Sequence, residues 1–102
     1  MKTYNKLVRD KIPAIIEADG KTCEVEIASK EDRTKLLEAK LMEEVNEYLE
    51  DKNLEELVDV MEVLFGLAHN LGYSEEDLVE KREEKLEERG GFKDGVVLKG
   101  VK

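Results

Sequence analysis

The sequence predicts a mainly α protein, an antiparallel helical bundle, on three observations. Three segments repeat apolar residues at helical spacing, each opens on a capping residue, and the two connections between them are only two or three residues long. Composition agrees: 42% of the residues are charged, 5% are aromatic and only one is proline, which favours a folded, helix-rich chain over a disordered one. With 102 residues and no apparent internal repeat, a single domain spanning 1–102 is expected. A core of that size is modest, and a second subunit is the natural supplement.

The elements follow in order. "MKTYNKLV" at 1–8 reads as extended or irregular, and "RDKIPAIIEADG" at 9–20 as a helix with Asp10 as cap, Pro13 in the first turn and Gly20 as its end. "TCEVEIA" at 22–28 alternates Cys23, Val25 and Ile27 with polar residues, the period of a short strand. The tail offers it a partner, since Asp94-Gly95 is a turn signal and residues 96–99 favour extended structure. Ser29 with Asp32 opens a helix to about Glu50, Asn53 with Glu56 a second to about Leu71, and Ser74 with Asp77 a third that Gly90-Gly91 stops. Connections as short as "DKN" and "GY" make consecutive helices antiparallel. The first of these helices carries one apolar stripe, Leu37, Leu41, Val45 and Tyr48. The second is apolar on nearly every side, from Leu54 to Leu71, and such a helix is buried on most sides, here by another subunit.

Charge narrows the function classes. A net charge of -9 argues against nucleic-acid binding, which gains affinity from a basic face, and favours a metal as partner. Cys23 is the only cysteine, so no internal disulfide forms and a cytoplasmic location is expected. "VLFGLAH" at 63–69 is too short to span a bilayer and the N-terminus lacks the apolar core of a signal peptide, so neither membrane insertion nor secretion is expected.

The strongest chemical signal is "EEVNEYLEDKNLEELVD" at 43–59, where eight of seventeen residues are acids. Glu44 falls on the apolar stripe of its helix, Glu47 lies one turn further along the same side, and Glu56 and Asp59 repeat the three-residue step among Leu57, Val58 and Val60. Glu47 and Glu56 are equidistant from the middle of the "DKN" turn, and so are Glu44 and Asp59. In an antiparallel hairpin these pairs form two layers about one helical turn apart, and four carboxylates converge on one groove. Desolvated acids need a counter-charge, and an all-oxygen set suits Mg²⁺, with Mn²⁺ as the alternative. Another role is open to Glu56, as capping partner of Asn53, while Glu43, Glu50 and Glu55 suit a solvated face.

"KLMEEVNE" at 40–47 followed by "ELVD" at 56–59 resembles the EExxE…ExxD signature of the MazG-like all-α nucleoside triphosphate pyrophosphohydrolases. "YNKLVRDKIP" at 4–13 and "KREEKLEERGGF" at 81–92 look like the two ends of a small phosphoribosyl-ATP pyrophosphohydrolase-like group within it, so the resemblance covers almost the whole chain. It implies a dimeric or tetrameric helical bundle and Mg²⁺-dependent cleavage between the α- and β-phosphates, giving a nucleoside monophosphate and pyrophosphate. Carried over by motif position, the metal ligands are Glu44, Glu47, Glu56 and Asp59, the four acids that the hairpin selects. Eight residues separate Glu47 from Glu56, a shorter interval than in most of the superfamily.

Hydrolysis of a phosphoanhydride also needs a group to orient or deprotonate water, a role open to Glu43 or to a ligand such as Glu44, and basic groups for the phosphates. Lys81, Lys85 and Arg89 step by four along the last helix, and Lys6, Arg9 and Lys11 cluster near the N-terminus. Pairing of the helix stripe with Glu84, Glu87 and Glu88 is the competing assignment. His69 reads as a packed or hydrogen-bonded residue, Cys23 as a strand-face residue, and Asn70 as a helix-end cap or a base contact. Three activities fit: house-cleaning hydrolysis of unwanted nucleoside triphosphates, hydrolysis of phosphoribosyl-ATP, or metal binding by a non-catalytic helical dimer. No base preference follows from the residues.

Overall fold

Three polar side chains set where the long helices begin. In the computed structural model, which describes residues 5–102, Ser29 Oγ accepts from the Asp32 N–H at 3.1 Å and Asn53 Oδ1 from the Glu56 N–H at 3.0 Å. Ser74 and Asp77 cap reciprocally at 3.0 and 2.9 Å. The helices are α1 (Ile12–Ala18), α2 (Lys30–Asp51), α3 (Leu54–Asn70) and α4 (Glu75–Arg89). The mainly α expectation holds, and the long helices end within a residue or so of the sequence reading. The first four residues of the "MKTYNKLV" segment, Tyr4 included, lie outside the described residues.

Two local expectations differ. The N-cap of α1 is Lys11 rather than Asp10, without a side-chain cap, and among the described residues α1 packs on none of the other helices. No strand is present among the described residues: 22–28 and 96–99 lack a ladder, although the turn before the tail forms, with the Gly95 N–H donating to the Phe92 carbonyl at 3.2 Å. The physical reason is coverage. Val25, Ile27, Val96, Val97 and Leu98 are all exposed, and a two-stranded ribbon with nothing behind it is marginal in water.

α2 and α3 form the hairpin that organises the chain. Its turn is closed by Lys52 in the left-handed region (φ 49, ψ 49), whose N–H donates to the Tyr48 carbonyl at 2.8 Å. The facing stripe of α3 is Glu56, Asp59, Val63, Gly66 and Asn70, spaced by three and four along one side. A Cβ added at Gly66 would stand 3.0 Å from Leu37 Cδ2, so glycine there permits the close approach. Buried Asn70 donates to the Thr34 hydroxyl and, at 3.2 Å, to the Lys30 carbonyl. Leu37 and Gly66 are equidistant from the turn centre, and Thr34 and Asn70 nearly so, which establishes the antiparallel register.

Among the described residues only Leu37, Val63 and Ala68 are buried apolar residues. α2 covers one side of α3 and α4 touches it elsewhere, while Leu54, Leu57, Val58, Met61 and Leu64 remain exposed. The radius of gyration is 17.8 Å, against about 13 Å for a compact chain of this length. No described helix is long and apolar enough to cross a membrane.

Asn70→Ala removes a buried donor that joins the two helices and leaves Thr34 without it. A loss of about 1–3 kcal/mol in denaturant-monitored stability is expected. Lys52→Gly relieves a left-handed side-chain conformation and raises stability by about 1 kcal/mol in the same measurement, provided the N–H bond to Tyr48 is kept.

Candidate metal centre

In the half of the hairpin nearest the turn, the facing stripes change from apolar to acidic. Glu44, Glu56 and Asp59 each offer an oxygen, and these oxygens lie within 4.8 Å of one another; Glu43, Glu44 and Glu47 form a second such group. Glu44 belongs to both. It is 7% exposed, and its Oε2 is buried without a hydrogen-bond partner, as is Glu56 Oε2. The Asn53 cap uses the Glu56 N–H, whereas the Glu56 carboxylate joins Glu44 and Asp59, so the residue serves the cap through its backbone and the cluster through its side chain.

Electrostatics follow from this crowding. Burial pushes the Glu44 carboxyl above the ordinary range, the charge of Glu47 adds to the effect, and Lys40 opposes it. Burial likewise raises Glu56, followed by the charges of Asp51, Asp59 and Glu44. Two basic groups partly neutralise the cluster. Lys40 Nζ lies 3.3 Å from Glu43 Oε2 and 3.4 Å from Glu44 Oε1, and Arg9 Nη2 lies 2.7 Å from Asp59 Oδ1. Partial burial works against the Lys40 charge, but its bonds to Glu43 and Glu44 outweigh that and raise its pKa.

Lys40 is the residue that sequence reasoning passed over. Its signal was the three- and four-residue spacing to Glu43 and Glu44, which on a helix brings an ammonium to both. The basic stripe of α4 is not joined to the acids by any ion pair among the described residues: Lys81 pairs with Glu84 at 3.3 Å, and Lys85 and Arg89 are exposed. Lys6 and Arg9 precede α1, and the exposed Arg9 side chain reaches the Asp59 carboxylate. His69 is exposed in the last turn of α3, neither packed nor in the cluster, and Asn70 serves the helix contact already described. Cys23 Sγ lies 3.8 Å from both the Pro13 carbonyl and Glu17 Oε1, and its thiol is raised by burial and by the Glu17 charge, the opposite of an activated nucleophile.

The donor set fits a hard divalent cation. All contributors are carboxylates from two adjacent helices, and the inward-facing Glu44 Oε2 has no partner of its own. No family model matches the chain, and no curated protein or solved structure matches it.

Because the folded state holds the Glu44 and Glu56 protons more tightly than the unfolded chain does, these groups destabilise the metal-free fold as pH rises through their raised values. Glu44→Gln removes one of those charges. At pH near 7 and without divalent cation, the variant should melt above the wild type, with the difference vanishing as pH falls below the ordinary glutamate value of about 4.3.

Proposed function

We propose that the chain is a Mg²⁺-dependent nucleoside triphosphate pyrophosphohydrolase of the MazG-like kind, splitting the α-β phosphoanhydride to a nucleoside monophosphate and pyrophosphate in a house-cleaning role. The observation that carries the reading is the buried Glu44 carboxylate, its Oε2 without a partner, at the intersection of two acid groups, one of which spans the facing helices. The signature segments at 40–47 and 56–59 support it, since the acids they single out are the ones that converge.

In this reading Glu44, Glu47, Glu56 and Asp59 hold the cation, with Mn²⁺ as a substitute for Mg²⁺. When bound, the ion supplies neutralisation of phosphate charge and acidification of a water. Glu43, held by Lys40 at 3.3 Å and partly exposed, orients that water or takes its proton, with Glu44 as the other candidate. Lys81, Lys85 and Arg89, with Lys6 and Arg9, neutralise the remaining phosphate charge. α4 reaches the site within an assembly of two or more copies, in which the open face of α3 from Leu54 to Leu64 is covered and the helices complete an antiparallel bundle. The extended shape and that exposed apolar face support the assembly.

Pyrophosphate release from a nucleotide panel that includes phosphoribosyl-ATP, with and without Mg²⁺, tests the reading. Turnover of nucleoside triphosphates that needs Mg²⁺ and falls more than about a hundredfold in Glu44→Gln and Asp59→Asn, both still helical, is the expected outcome. Selective turnover of phosphoribosyl-ATP would replace the house-cleaning role with that activity. Mg²⁺ binding with no turnover of any member would leave a non-catalytic metal-binding dimer.

A further inference from the structure

Asp59 is already engaged. Its Oδ1 accepts a 2.7 Å charge-assisted bond from Arg9, fifty residues earlier in the chain, while its other neighbours in the cluster, Glu44 and Glu56, have no basic contact on their buried Oε2 atoms. The guanidinium therefore stands on one member of the cation-binding trio, at 54% side-chain exposure against 38% for Asp59. The helix that follows the segment directly, α1, packs on no other helix among the described residues.

We infer that the Arg9–Asp59 pair is a latch that a divalent cation opens, Arg9 being a positioning residue that keeps the segment before α1 over the acids until the cation takes Asp59. This rests on the assignment of Asp59 as a ligand. A cation within reach of Asp59 repels the guanidinium a few ångströms away, and it competes for the same carboxylate oxygens. The two occupants oppose each other because both positive charges fall on one carboxylate, Arg9 holding its Oδ1, whereas Lys40, bonded to Glu43 as well as Glu44, keeps a partner when Glu44 turns to the ion. An exposed pair of this kind is weak enough to be displaced. Loading has an order in consequence: the Arg9 guanidinium becomes available to an anionic ligand only after the cation has arrived.

Calorimetric titration of Mg²⁺ alone into the full chain, wild type and Arg9→Met, reads the competition without turnover, and the NMR signals of the Arg9 guanidinium read the release. Arg9 is exposed, so the variant keeps its helices, which circular dichroism checks. The latch predicts Mg²⁺ affinity about two- to fivefold tighter in Arg9→Met, the reciprocal of a surface ion pair's strength, and wild-type guanidinium signals that move to those of a free arginine when Mg²⁺ is added. Weaker Mg²⁺ binding by Arg9→Met would make Arg9 a support for the ligand and overturn the latch. Unmoved guanidinium signals in a wild type that binds Mg²⁺ would also overturn it while leaving the cation site standing, and a wild type that binds no Mg²⁺ would sink both.

Discussion

The register of the α2–α3 hairpin governs everything else in this chain. A turn closed by a left-handed Lys52 leaves the two helices no freedom to slide, and the Leu37–Gly66 approach and the Asn70 bonds to Lys30 and Thr34 hold the far half. Equidistant residues must then face one another. In one half of the hairpin they are leucine, valine, glycine and a satisfied amide; in the other they are carboxylates. The same geometry that packs Leu37 desolvates Glu44, and the unpartnered Oε2 follows from helix position rather than from any local accident.

Desolvation explains why the basic groups stand where they do. Burial, with the charge of neighbouring acids, raises the proton affinity of Glu44 and Glu56, and Lys40 and Arg9 bring positive charge to the cluster, one from within α2 and one from a distant segment. Lys40 is local and partly buried, so its pairing is fixed by helical spacing. Arg9 is remote and exposed, so its pairing depends on where the N-terminal segment lies. The two pairs look alike in distance but differ in how readily they can be exchanged.

Most of the hairpin was legible in the sequence because its determinants are short-range. Ser29, Asn53 and Ser74 announce helix starts through bonds three residues away, and the mirror relation of Glu44 with Asp59 and Glu47 with Glu56 needs only a tight turn and a constant rise. What the sequence left open was long-range. Nothing near Arg9 in the chain points to Asp59, and Asn70, equally suited to capping or to ligand contact, is resolved only by the position of Thr34. The alternation at 22–28 is a real strand pattern, but a strand needs a covered neighbour, and none of the described segments supplies one.

Position along the hairpin also explains how the acids tolerate one another. Were they at a free end, repulsion would splay the helices and let water in at little cost. They lie instead between the covalent turn and the packed Leu37–Gly66 level, so the helices cannot open around them without breaking one or the other. Burial and repulsion are thereby kept as raised proton affinity at Glu44 and Glu56 rather than relieved by separation. A cation entering such a site would find the carboxylates held in place beforehand, and the free energy of relieving their repulsion would add to its binding. The packed half of the hairpin is in this sense part of the site, although none of its residues carries a charge toward it.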